Sequence, residues 1–180
     1  RTPAVPSSVS VAPVEVQPSI QQEPLEAHDA STEQEPSPDL TLVAGLCTDL
    51  SRVTSPSALP DLLRRAAQIL DASGVILWIS AAEQLFPVMG HGYAPEVLAR
   101  LAPIGRDGDN AAAAAWRSGH LTVVRATGPS DSGAIVAPLF GLNECVGVLA
   151  AEIRHGAEDR PVTQALATVI AAQLATVVPA

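Results

Sequence analysis

Apolar residues from Leu40 onward recur at two different periods, and each change of period marks an element. Leu42, Val43, Leu46, Leu50 and Val53 fall three and four apart, which predicts a helix. Pro56 and Pro60 interrupt that pattern and frame a second helix, where Leu59, Leu62, Leu63, Ala66, Ile69 and Leu70 form a stripe. Asp61 lies in its first turn and Gly74 after its end. "VILWIS" at 75–80 is β-branched and aromatic, hence a strand, and "LFPVMG" at 85–90 is a weaker one, with Pro87 suited to an edge or bulge. "APEVLARL" at 94–101 places a proline in a helix's first turn. "DGDNAAAAAWRSG" at 107–119 reads as a helix capped by Asp109 or Asn110 and closed by Gly119. "LTVV" follows as a strand and "TGPSDSG" as a loop. "AIVAPLFGLNECVGVLAA" at 134–151 is a hairpin. A last helix is expected from Pro161 to about Val178, with Val162, Leu166, Val169, Ile170, Leu174 and Val177 on its apolar side.

Short links between strands favour antiparallel neighbours, because a parallel pair needs a crossover of roughly a dozen residues. Yet "VILWI", "AIVAPL" and "CVGVLAA" are apolar at odd and even positions alike, so both faces must be covered. The first, second and last helices are expected on one face and the 94–119 segment on the other. The expected fold is therefore α+β: a three-layer α/β/α sandwich around a central, mostly antiparallel sheet of five to six strands.

Residues 1–39 have another texture, with seven of the sixteen prolines, no glycine, and seven acids against Arg1 alone. Such a segment cannot bury enough apolar surface to offset its ordering entropy, and its prolines favour extended conformations. It is expected to be a disordered, acidic, proline-rich linker, with a free tail as the alternative, followed by one domain over 40–180. A start at Arg1 rather than Met points to a piece of a longer protein. The remaining twelve acids face nine arginines, and there is no lysine. Without clustered positive charge, nucleic acid is not an expected partner. No apolar run approaches the roughly 18 residues that span a bilayer, and no signal-peptide pattern is present. A cytoplasmic setting is expected, including as the soluble part of a longer or membrane-tethered protein. Cys47 and Cys145 read as two reduced, buried thiols.

Four stretches carry a resemblance. "LPDLLRRAAQILDASGVILWI" joins a helix to a strand, and "GHGYAPEVLARL" sets Gly and an aromatic residue before a short helix. "AAWRSGHLTVV" ends a helix at Gly, and "SGAIVAPLFGLNECVGVLAAEI" makes the closing hairpin, with Pro138-Leu139 in one strand and Gly147-Val148-Leu149 in the other. In this order, over residues 40–178, they resemble the GAF domain, a small-molecule-sensing module related to PAS domains. The resemblance implies a non-catalytic regulatory module of a larger, bacterial-type signalling protein. It would bind a small ligand between the sheet and the 94–119 segment, dimerise through its first and last helices, and act on neighbouring domains. A ligand-free scaffold for dimerisation or docking is the alternative. The Asn-Lys-Phe-Asp-Glu constellation of cyclic-nucleotide-binding members is not visible, and neither cysteine lies where phytochromes attach a bilin. Ligand identity does not carry over, and no cofactor is assigned.

A pocket needs convergent polar groups on an apolar wall, and Met89, His91, Tyr93, Asn110, Trp116 and Ser132 lie on or beside the segment expected to roof the sheet. Against that, Met89 and Trp116 also read as core, and Asn110 as a helix cap. With five aromatic residues in the chain, a stacking sandwich around a purine or flavin is poorly provided for. His91 and His120 are conceivable haem ligands, but a loop histidine and a strand-start histidine read more simply as surface residues. "DGDN" at 107–110 lacks the later ligands of a calcium loop, and no metal is expected. "GPSDSG" lacks nucleophile-elbow spacing and "GHGYAP" the third glycine of a dinucleotide fingerprint. One GAF-like enzyme class reduces free methionine sulfoxide with several pocket cysteines. Cys47 and Cys145 are far apart with no third partner, so no enzymatic activity is expected. Finally, Val43, Leu46, Leu50 and Val53, with Leu166, Ile170, Leu174 and Val177, are candidates for a dimer interface. On that reading Leu46→Glu gives a folded monomer; unfolding instead would place Leu46 in the core.

Overall fold

The computed structural model describes residues 37–128 and 131–178. Almost all of the expected linker thus lies outside the described residues. The first helix, α1 (Leu40–Ser51), begins where Asp39 caps it, the carboxylate accepting from Thr41 N at 2.9 Å and Leu42 N at 3.3 Å. A single 3₁₀ turn at Pro56–Ala58 leads into α2 (Leu59–Ile69), with Pro60 in its first turn. Then come β1 (Ala72–Ala81), β2 (Gln84–His91), the one-turn α3 (Pro95–Leu98) and the two-residue β3 (Ile104–Gly105). Next are α4 (Ala111–Ser118), β4 (Thr122–Val124), β5 (Gly133–Phe140), β6 (Cys145–Ile153) and α5 (Pro161–Ala175).

The six strands form one sheet in the order β3-β2-β1-β6-β5-β4, every neighbouring pair antiparallel. Side chains of β1, β5 and β6 are buried on both faces, as their unbroken apolar runs demand. On one face, α1, α2 and α5 enclose the larger core, which includes Leu46, Leu63, Val75, Leu77, Ile135, Leu149 and Ile170. On the other, α4 closes a smaller cluster of Trp78, Leu85, Ala112, Ala115, Trp116, Val136 and Val148. This is the three-layer α+β arrangement read from the sequence.

Three details differ. Gly74 does not end α2 but stands inside β1; the chain instead reverses at Asp71, a non-glycine residue at φ +50°. The helix expected over 94–101 is only Pro95–Leu98, because the chain must extend again to add β3 to the sheet edge. The proposed dimer stripe is not an outward face. Leu46, Leu50, Ile170 and Leu174 are at most 1% exposed, Val43 and Leu166 are buried, and Val53 and Val177 pack against the same core. Heptad-like spacing describes any helix with one covered side, and here the sheet covers it. Leu46 is therefore core, as its alternative reading allowed.

Candidate functional site

The roof of the smaller cluster is built from local signals. Asn110, in extended conformation, turns its amide oxygen to accept from Ala113 N at 2.9 Å, which starts α4. The alanines bring the helix backbone close to the sheet, and Gly119, left-handed at φ +66°, ends it. Trp116, 4% exposed, fills the space between helix and sheet. Its indole N–H donates to the Cys145 carbonyl at 3.1 Å, and the Arg106 guanidinium lies 4.9 Å from its ring centroid. Arg117 reaches back to the carbonyls of Arg106 and Gly108, tying the 104–110 segment to α4. Asn110 and Trp116 thus each have a structural role, as cap and as filler.

Met89 and His91 stand on the opposite face from Trp116. They pair with Leu77 and Val75, both core residues under the α1, α2 and α5 layer. Simple alternation from Leu85, which belongs to the roof cluster, would put 87, 89 and 91 on the roof side. The register shift in the β1–β2 pairing, where Leu77 faces Met89 but Trp78 faces Pro87, leaves Val88 as one extra residue. That bulge turns everything beyond it over.

Tyr93 also reaches the roof side, beyond α4. A side chain built on Gly74 would meet its ring atoms at 2.6–2.8 Å, so the ring lies on the sheet where Gly74 has none. Gly74 shares its face with Ile76 and Trp78, and it pairs with Glu152. Burial, and then the hydrogen-bonding and charged Glu152 carboxylate, hold the Tyr93 phenol well above its ordinary pKa. Ser73 Oγ lies 3.3 Å from both the Glu152 carbonyl and its Oε2. Glu152 and Ser73 escaped the sequence reading. Their signal was a lone acid closing the apolar run "CVGVLAAEI", at a position in phase with Val148 and Ala150.

Ser132 lies elsewhere, lining an open cleft of about 610 Å³ with Ala126, Gly128, Asp131, Arg154, His155 and Gly156. His155, at φ +59°, places Nδ1 3.0 Å from Asp71 Oδ2, and Arg154 stands 3.7 Å from the other oxygen. Nearby, Glu158 is 3% exposed; its Oε1 accepts from Ala126 N at 3.0 Å, and its Oε2 has no protein partner. His120 is exposed, with Nδ1 2.8 Å from the Ser118 carbonyl, and it leads into β4, which three strands separate from β2 and His91. Cys47 packs against the larger core and Cys145 against the smaller one, on opposite sides of the sheet; both are free. Burial pushes the Cys145 thiol up. Among the described residues no three His, Cys, Asp or Glu side chains are placed to hold a metal ion. No helix of the described residues is long and apolar enough to cross a membrane.

No protein-family model matches this chain, and no curated protein matches it. Solved structures do. The GAF domain of an Acinetobacter phosphoenolpyruvate-protein phosphotransferase is similar at 10% identity and TM-score 0.66, over 77% of this chain and 90% of that one. The GAF-B domain of DevS from Mycobacterium smegmatis is similar at 25% identity and TM-score 0.55, over 68% and 91%. The free methionine-R-sulfoxide reductase of Neisseria meningitidis, solved with its substrate, is similar at 19% identity and TM-score 0.56, over 74% and 86%. The fold of this chain is GAF-like. The last of these similarities corrects one expectation. Enzymes share this fold, so neither the architecture nor the separation of Cys47 and Cys145 along the chain supports setting catalysis aside.

Proposed function

We propose that this chain is a ligand-responsive regulatory module of a larger signalling protein, with its ligand on the roof side of the sheet beneath the 92–119 segment. The observation that carries the reading is the polar group of Tyr93, Glu152 and Ser73 at one end of a face otherwise lined by Ile76, Trp78, Val136 and Val148. A few convergent polar groups on an apolar wall are what orient a small molecule. The module acts by population shift: a ligand that favours one arrangement of the roof changes the packing of the flanking helices. A thermal-shift screen of amino acids, 2-oxo acids, cyclic nucleotides and small aromatic compounds tests it. A true ligand raises stability by about 2.7 kcal/mol at a hundredfold excess over Kd. A screen in which no class moves the melting midpoint counts against it.

A second reading, self-association, is favoured by α5. The helix carries no charged residue over Pro161–Ala175, and Val169 on its outer side is 44% exposed, as Leu42 of α1 is 58% exposed. These outward residues, not the buried stripe, would form the contact. Light scattering on Leu42→Glu and Val169→Glu tests it. A wild-type dimer that both substitutions convert to folded monomer supports it, and a wild-type monomer at all concentrations ends it.

A further inference from the structure

We propose that Tyr93 is a built-in occupant of the roof-side ligand seat, and that the ligand displacing it is a single flat ring with a hydrogen-bond donor on its rim. This rests on the ligand-sensing reading above and names the ligand class for that site. The floor of the seat is bare backbone: Gly74 has no side chain, and the tyrosine ring lies where one would project. The segment that delivers the ring is shaped by two more glycines. Gly92, at φ +88°, passes so close to Ser73 O and the Gly74 Cα that no Cβ fits between them, and a Cβ on Gly90 would meet Leu98 Cδ2 at 2.9 Å. Glycines at 74, 90 and 92 therefore let the chain from Tyr93 to Leu98 lie flat against β1 and β2. A position filled by a side chain swung in from a reversing loop can be emptied by swinging it out, with Gly92 as the hinge.

The wall of the seat sets the ligand chemistry. Glu152 presents a carboxylate, and the Ser73 hydroxyl beside it lies 3.3 Å from Oε2. An ionised carboxylate only accepts hydrogen bonds, so an occupant must donate, as the phenol of Tyr93 does. An anionic occupant would be repelled there. The bare backbone that the ring covers is one residue wide, at Gly74, which favours one ring over a fused system.

Tyr93 is the chain's one tyrosine, so phenolate absorbance reports on it alone. In the full chain, Gly74→Ala fills the floor and should lower the tyrosine titration midpoint toward the ordinary value while the melt stays cooperative; an unmoved midpoint in the folded variant overturns the proposal. In Tyr93→Ala, p-cresol should raise the melting midpoint saturably, with toluene about tenfold weaker for want of the donor to Glu152. Adding Gly74→Ala to that variant should abolish the effect. No saturable effect in folded Tyr93→Ala, or equal effects of the two probes, overturns the proposal. If Tyr93→Ala does not fold, the Gly74→Ala titration decides. A library compound that stabilises wild type without moving the Tyr93 titration sits elsewhere; it refutes the seat and leaves the sensing reading intact. Rescue by p-cresol with a barren library supports the seat and counts against sensing.

Discussion

Val148 and Leu149 are adjacent in β6, and both are shielded from solvent to 1% exposure or less. Leu149 points into a core closed by three helices of eleven to fifteen residues. Val148 points into a cluster closed by α4, eight residues long, whose contacts come largely from alanine and one tryptophan. The first face is apolar apart from His91 at the end of β2 and the buried Glu158 against Gly133, while the second gives way at one end to Glu152, Ser73 and the half-buried Tyr93. One sheet thus has a structural face and an adaptable one. The strands cannot tell them apart by hydrophobicity, because both sides are apolar. The difference lies in what covers them.

The largest effect should come from charging the structural face. Leu46→Glu buries an unpaired carboxylate and should cost about 3–5 kcal/mol, a large share of a typical domain's stability. Urea denaturation checks it, and an unchanged midpoint would break the contrast. Next, Leu149→Ala should cost about 2–5 kcal/mol by leaving a cavity between rigid layers. Val148→Ala should cost less, by roughly 1 kcal/mol or more beyond its smaller size, because a short helix can settle into the gap. Equal losses would mean the roof is as rigid as the helical layer.

Trp116→Phe keeps an aromatic ring but shrinks it and strands the Cys145 carbonyl, and the lost hydrogen bond by itself should cost about 1–2 kcal/mol in the same denaturation measurement. An increase in stability lies in the β1–β2 turn. Ala82 and Glu83 sit at φ +49° and +60°, a two-residue turn of the kind that favours Asn-Gly. The double substitution Ala82→Asn, Glu83→Gly should add about 1 kcal/mol, since the only ion pair it gives up is a 3.7 Å contact from exposed Arg106. Smallest at neutral pH is the Tyr93 proton. A phenol raised in the folded state contributes its stability in full below the ordinary pKa of 10.0, and that stability falls away as pH climbs beyond it. Melting curves from pH 8 to 11 should therefore show wild type losing ground above that point relative to Tyr93→Phe.

Several parts of the site were readable locally. Asn110 announces itself as a cap three residues before the amide it accepts from, and Gly119 as the stop, because capping involves only near neighbours in sequence. Met89 was not readable. Its face depends on one extra residue at Val88, and nothing in "LFPVMG" beyond Pro87 marks a bulge. Gly74 was misread for a related reason. A glycine after a helical stripe usually ends the helix, whereas this one is kept bare by Tyr93, nineteen positions on. Glu152 was legible as an anomaly in an apolar strand but had no partner until the fold brought Ser73 and Tyr93 beside it.

What the sequence determined by itself is the element order, the antiparallel pairing implied by short links, and the need for cover on both sides of β1, β5 and β6. Each follows from periodicity and turn chemistry acting over a few residues. Tertiary structure alone decided that the stripe of the first and last helices is spent on the sheet rather than left for a second chain, which side of the sheet Met89 and His91 occupy, and that Tyr93 lies across Gly74 beside Glu152. Those outcomes depend on a register shift and on contacts between positions nineteen to seventy-nine residues apart, where no local period reaches.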